Sequence, residues 1–174
     1  IRYILKAQYP NGGWPQFWPR PKGYYTHITY NDNAMVNVME LLREVYEKKA
    51  PYEYVPESIC NRARAAFNKG VECILKTQVV LNGKPTVWCA QHDEHTLAPA
   101  KARAYELPSL SGQESDEIVI LLMSLPNPSQ EVINCIENAV EWFKSSKIEG
   151  IKKEFFTNDE GKKDYRMVPC TDCP

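Results

Sequence analysis

The sequence predicts a mainly α-helical protein, with antiparallel helix pairs set around a common axis as an (α/α) toroid and short β-strands in the loops. Three observations lead there. A helix-ending pentapeptide, ILKAQ at Ile4–Gln8, recurs as ILKTQ at Ile74–Gln78, and each copy precedes an Asn-Gly pair (Asn11-Gly12, Asn82-Gly83) and a tryptophan (Trp14, Trp88). Recurrence of a supersecondary unit marks a fold built by stacking like parts. Four longer segments also carry apolar residues at helical spacing. Finally, two long polar stretches, 12–32 and 82–112, follow the repeated helix and should converge at one end of the molecule. A plain helical bundle is the alternative that this pattern permits.

The elements follow in order. The opening residues, IRYILKAQ, read as the end of a helix. Tyr24–Tyr30 (YYTHITY) alternates as a short strand does. Asn33–Lys49 is predicted helical, with Met35, Val38, Met39, Leu42 and Tyr46 on one stripe. Glu57–Gln78 follows, with Ile59, Ala63, Phe67, Val71 and Ile74 on its apolar face. Val87–Ala90 reads as a second short strand. Gln113–Ser124 opens with a capping box, Ser111 at the N-cap and Glu114 three residues on. Ser129–Ser146 starts after Pro128, and its end, WFKSS (Trp142–Ser146), loosely repeats the pentapeptide.

At 174 residues the chain is long enough for one domain with a real core, expected over residues 1–174. A formal net charge of -1 gives no electrostatic argument for nucleic acid or an anionic membrane. No apolar run is long enough to span a bilayer. The chain opens without Met and ends on VPCTDCP, which suggests a fragment or a trimmed mature chain. Six cysteines are too few for a disulfide-built scaffold at this length. Cys60, Cys73 and Cys135 sit in helical patterns and read as core thiols.

The polar stretches hold the chemistry. The first is rich in aromatics: Trp14, Phe17, Trp18, Tyr24, Tyr25 and Tyr30. Such rings either stack on sugar faces or form a small core under a long loop. Asn31, Asp32 and Asn33 precede a helix; capping needs one of them, and the surplus oxygens suit a hard cation or sugar hydroxyls. In QHDEH, Asp93 and Glu94 lie between His92 and His95. Cys89, His92 and His95, with Cys170 and Cys173, could hold zinc, although the spacing is not a standard one. Hydrogen bonding within a buried loop is the simpler reading of those histidines. Lys101, Arg103 and Glu106 follow, and Arg103 with Glu106 reads as a surface ion pair unless the site uses them. A glycosidase needs two spaced carboxylates, which Asp32, Asp93, Glu94 and Glu106 could supply, so hydrolase and lyase stay unseparated at this point.

NGGWPQF, HITYNDNAM, WCAQHD and ARAYELPSLSGQES, in this order, resemble the pectate lyases of polysaccharide lyase family 10, from Asn11 to about Ile151. The resemblance implies an (α/α) toroid, a polygalacturonate or pectin substrate, calcium, export from a bacterium to the periplasm or beyond, and action as a monomer. It implies anti β-elimination rather than hydrolysis. Asp32 and Asp93 resemble the family's acidic residues at the substrate and calcium site. Trp14, His27 and Asn31 fall in the same motifs and are expected at the substrate. Arg103 and Arg166 are candidate clamps for galacturonate carboxylates, whose geometry the guanidinium fork matches. The base implied is an arginine in the C-terminal part of a larger domain, expected beyond Pro174, with Arg166 and Arg103 the in-chain candidates. A pectin-binding, lyase-like protein without the base, or a glycoside hydrolase on the same fold, are the competing expectations.

Overall fold

Amphipathic helices dominate the computed structural model, which describes residues 1–19 and 22–171. The first is the short α1 (Arg2–Ala7). A 3-10 turn at Tyr24–Thr26 precedes β1 (Ile28–Thr29), and a second at Asn31–Asn33 leads into α2 (Ala34–Tyr46). Then come α3 (Glu57–Thr77), β2 (Val80–Leu81), β3 (Lys84–Pro85), β4 (Gln91–His92), α4 (Gly112–Met123) and α5 (Gln130–Ser146). The antiparallel strands β5 (Ile151–Thr157) and β6 (Lys163–Pro169) close the described chain. Where the sequence expects one domain, the chain divides into two compact units, Ile1–Trp142 and the residues from Phe143 on.

The first unit packs α2 against α3, with α1 on α3 and α4 on α2. Its core draws Met39 and Leu42 from α2, Phe67 and Ile74 from α3, and Ile118 and Leu122 from α4, all at 2% exposure or less. Cys60, Cys73 and Cys135 are buried thiols, as expected.

The sequence repeat is a repeat of bonds. Gln8 Nε2 donates to the Gly12 carbonyl at 2.9 Å and to Ala66 of α3 at 2.8 Å. Gln78 Nε2 does the same to Thr86 and to Cys135 of α5, both at 2.9 Å. The Trp14 indole donates to the Ile4 carbonyl at 3.0 Å, and the Trp88 indole to Ile74 at 2.8 Å. Each tryptophan carbonyl then accepts a backbone N–H from the far end of its loop, Thr29 for Trp14 and Ser111 for Trp88. A buried amide or indole must find partners, so the pentapeptide, its glutamine and the tryptophan recur together.

Several boundaries differ from the sequence expectation. Only Ile28–Thr29 of Tyr24–Tyr30 pairs as a strand, because Tyr24–Thr26 coils into a 3-10 turn. The second strand is Gln91–His92 rather than Val87–Ala90, since its partner is β1. Ser111 is the N-cap of α4, but its hydroxyl bonds the Glu114 carboxylate instead of a helix N–H. Within the second unit, β5 and β6 pair from Ile151↔Pro169 to Thr157↔Lys163 across a turn in which Gly161 has φ 76°. This hairpin is missing from the sequence reading because both strands are solvated and mix charge with apolar residues. Phe155 is 70% and Phe156 39% exposed, whereas Ile4 and Leu5 are half-buried.

Candidate functional site

The two polar loops meet. β1 and β4 pair antiparallel, with Ile28 opposite His92 and Thr29 opposite Gln91. The Tyr30 and Asn31 N–H groups both donate to the Ala90 carbonyl, at 2.8 and 2.9 Å. At the other end of this ladder, Asn11 Nδ2 donates to the Glu94 carbonyl at 2.8 Å. The ladder thus sets His27 beside Asp93 and Glu94 at one end, and Asn31–Asn33 at the other.

At the first end, one donor atom each from His27, Asp93 and Glu94 lies within 4.8 Å of the others. His27 Nδ1 is 3.0 Å from Glu94 Oε2. Asp93 Oδ1 accepts from the His95 N–H (3.0 Å), the Thr96 N–H (2.7 Å) and the Thr96 hydroxyl (2.9 Å). The Thr96 N–H foremost, with the other two donors, holds the Asp93 carboxyl below its ordinary range. For Glu94, burial is the largest influence and pushes upward. Hydrogen bonds from Thr26 and His27 and from backbone outweigh it, so this carboxyl too is held down. Both stay ionised, and two ionised carboxylates match a hard, oxygen-seeking cation.

At the second end the backbone is unusual. Asp32 and Asn33 are consecutive left-handed residues, with φ of 53° and 59°. Asn and Asp tolerate that region better than other side chains, and such strain concentrates at functional turns. Neither Asn33 nor the residue before the 3-10 turn caps its helix by side chain, so the capping reading of this triplet does not hold. Instead Asn31 Nδ2 donates to Asp32 Oδ2 at 2.6 Å, and the Asp32 N–H reaches Glu114 Oε1 at 3.4 Å. A cleft of about 350 Å³ opens beside Asn31, walled by Gln91, Tyr105, Glu106 and Ser109.

The sequence-derived residues are thus distributed. His27 and Asp93 share one cluster; Asn31 and Asp32 share the turn. Asp32 lies outside the cluster, which brings Glu94 beside Asp93. Trp14 is only 4% exposed with its indole bonded to Ile4, so it is a packing residue with no face for a sugar. Arg103 is tied to Glu106 by its Nε at 2.9 Å to both carboxylate oxygens, and by Nη2. That carboxylate raises the guanidinium's pKa, the wrong direction for a base. Arg166 belongs to the second unit, where it pairs with Glu154 across the hairpin at 2.7 Å. The zinc reading fails on hydrogen bonds. Buried His92 uses both ring nitrogens on backbone, Nε2 from the Cys89 N–H at 3.2 Å and Nδ1 with the Leu97 carbonyl at 2.9 Å. Cys170 is disulfide-bonded, and Cys173 lies outside the described residues. Glu94 and Glu114 were undervalued; Glu94's signal was its place next to Asp93, and Glu114's was hidden by its capping position.

The family model described as pectic acid lyase matches residues 1–174. A mutant family 10 polysaccharide lyase from Cellvibrio cellulosa, in complex with trigalacturonic acid, is 39% identical with a TM-score of 0.82, covering 86% of this chain and 48% of that one. Another structure of a family 10 polysaccharide lyase from Cellvibrio cellulosa is also 39% identical, with a TM-score of 0.81, covering 85% and 47%. The chain therefore spans about half the length of these solved relatives. No curated protein matches it significantly.

Proposed function

Because the chain belongs to the pectic acid lyase family, we propose that it carries the substrate-binding part of a calcium-dependent pectate lyase, built on an (α/α) toroid, that cleaves polygalacturonate by anti β-elimination. The observation that carries this reading is the convergence of the two loops, which brings the ionised Asp93 and Glu94 and the Asn31–Asp32 turn onto one β-ladder. The trigalacturonic acid bound by a relative supports a polygalacturonate substrate. The bonded repeat supports the toroid, in which like helix pairs succeed one another.

In this elimination a base takes the proton from C5 of a galacturonate. The electron pair of that C–H bond becomes the C4–C5 double bond, and the bond from C4 to the glycosidic oxygen breaks. The departing oxygen takes a proton from solvent water, and the base returns the C5 proton to solvent. Calcium, when bound, supplies positive charge to the C6 carboxylate as negative charge develops at C5. Asp93 and Glu94 are the carboxylates to hold it, since oxygen ligands that stay ionised suit this ion. Asn31 and Asp32 offer an amide and a carboxylate to sugar hydroxyls, and His27 holds Glu94 in place. Arg103, kept protonated by Glu106, is a clamp for substrate carboxylate and not the base. Arg166 is ion-paired to Glu154 in the same way and is not assigned as the base.

A substrate of polymer length is met outside the cell, which favours export. Among the described residues, no helix is long and apolar enough to cross a membrane. A second reading, a pectin-binding protein without catalysis, is favoured by Arg103 being engaged by Glu106 through Nε and Nη2. The test is polygalacturonate incubated with the chain, with and without calcium. A lyase produces calcium-dependent ultraviolet absorbance from the unsaturated product. Reducing ends without that absorbance would mean a hydrolase, and binding without either product would mean the second reading.

A further inference from the structure

The turn at Arg103–Glu106 is held closed from several directions. The Ala102 N–H donates to the Glu106 carbonyl at 3.1 Å, and the Glu106 N–H to the Arg103 carbonyl at 3.0 Å. The Arg103 N–H donates to Glu106 Oε2 at 3.1 Å, in addition to the guanidinium contacts. This braced turn presents Tyr105 at 98% exposure, so its ring has almost no contact within the chain. A large apolar ring left in water forgoes the gain of burial. Tyr105 lines the cleft that also contains Asn31 and Gln91. The Arg103–Glu106 ion pair braces this rim, and Glu106 itself lines the cleft.

We infer that Tyr105 is the stacking platform of a further subsite, which takes a galacturonate ring adjacent to the one met by Asn31 and Asp32. Sugar rings carry an apolar face of axial C–H groups, and an exposed aromatic ring matches that face. The inference rests on the polygalacturonate reading. It adds that the cleft recognises more than one ring, because a ring on Tyr105 is one that a single galacturonate bound at Asn31 and Asp32 lacks.

Titration calorimetry with galacturonate and trigalacturonate, in calcium, tests it on the wild type, Tyr105→Ala and Tyr105→Phe. The expected result is that Tyr105→Ala binds the trimer about tenfold more weakly than the wild type. It should also lose most of the gain in affinity from monomer to trimer, with an unchanged melting temperature, while Tyr105→Phe keeps wild-type affinity. A Tyr105→Ala variant that retains the full length-dependent gain would overturn the platform while leaving the substrate reading intact. So would a Tyr105→Phe variant as weak as Tyr105→Ala, since the hydroxyl and not the ring would then bind. A wild type that binds neither ligand overturns the substrate reading and the subsite with it.

Discussion

The loop after α1 and the loop after α3 start from the same pentapeptide and share a glutamine bridge, an indole bond and a return hydrogen bond to the tryptophan carbonyl. They differ in what they hold. After Ser111 the second loop turns directly into α4. After Thr29 the first passes through the left-handed Asp32 and Asn33 before α2 begins. The Asn-Gly pairs differ too. Asn82-Gly83 is a hairpin turn between β2 and β3 with both φ positive, at 51° and 77°. Gly12 instead lies against α3, where an added Cβ would meet the Lys69 carbonyl oxygen at 1.9 Å. The recurring residues build the scaffold, and the site lies where the two copies diverge.

The largest expected effect breaks the comparison at the glycines. Gly12→Ala should cost about 3 kcal/mol or more, because backbone must move. Gly83→Ala meets nothing within 4 Å and carries only its left-handed φ, so it should cost about 1 kcal/mol. Chemical denaturation of both variants checks this, and equal losses would show that Gly12 is not pressed against α3.

The next effect sharpens the comparison. Gln8→Ala and Gln78→Ala each strand two carbonyls and should each cost about 1–3 kcal/mol. Closely matched losses are expected if the two bridges do the same job. A loss confined to one copy would mean the repeat is one of sequence and not of energetics.

A smaller effect separates the loops by pH, since the second alone buries an imidazole. Burial lowers the His92 pKa from its ordinary 6.5, so the folded state binds that proton less readily than the unfolded chain. Its contribution to stability is complete above about pH 6.5 and is lost as pH falls from there through the folded value. Asp93 and Glu94, held below the ordinary carboxylate range, add a second loss at more acidic pH. Melting temperature measured between about pH 7.5 and 5 should decline for the wild type and decline less for His92→Gln.

The same division explains what was legible in the sequence. Helices α2 to α5 announced themselves by apolar stripes, and the repeat marked where the loops begin and that they converge. Asp32, Asp93 and Asn31 stood out as polar surplus. Trp14 misled because one residue type serves both sugar stacking and core packing, and only its bond to Ile4 decides between them. Glu94 and Glu114 owe their places to contacts across 67 and 82 residues of chain, Glu94 to His27 and Glu114 to Asp32, which spacing does not encode. The hairpin of β5 and β6 escaped because neither strand has a buried face to impose alternation.

The central claim is that the Asp32 turn and the Asp93 cluster act on substrate and are not merely parts of the loops. Equilibrium binding of polygalacturonate, with and without calcium, to the wild type, Asp32→Ala and Asp93→Ala tests it, with each variant's melting temperature taken in parallel. The account predicts that both variants lose about tenfold or more of the calcium-dependent affinity, with losses of stability too small to explain it. Unchanged calcium-dependent binding with a lowered melting temperature would contradict the account, and would return both aspartates to holding their turns.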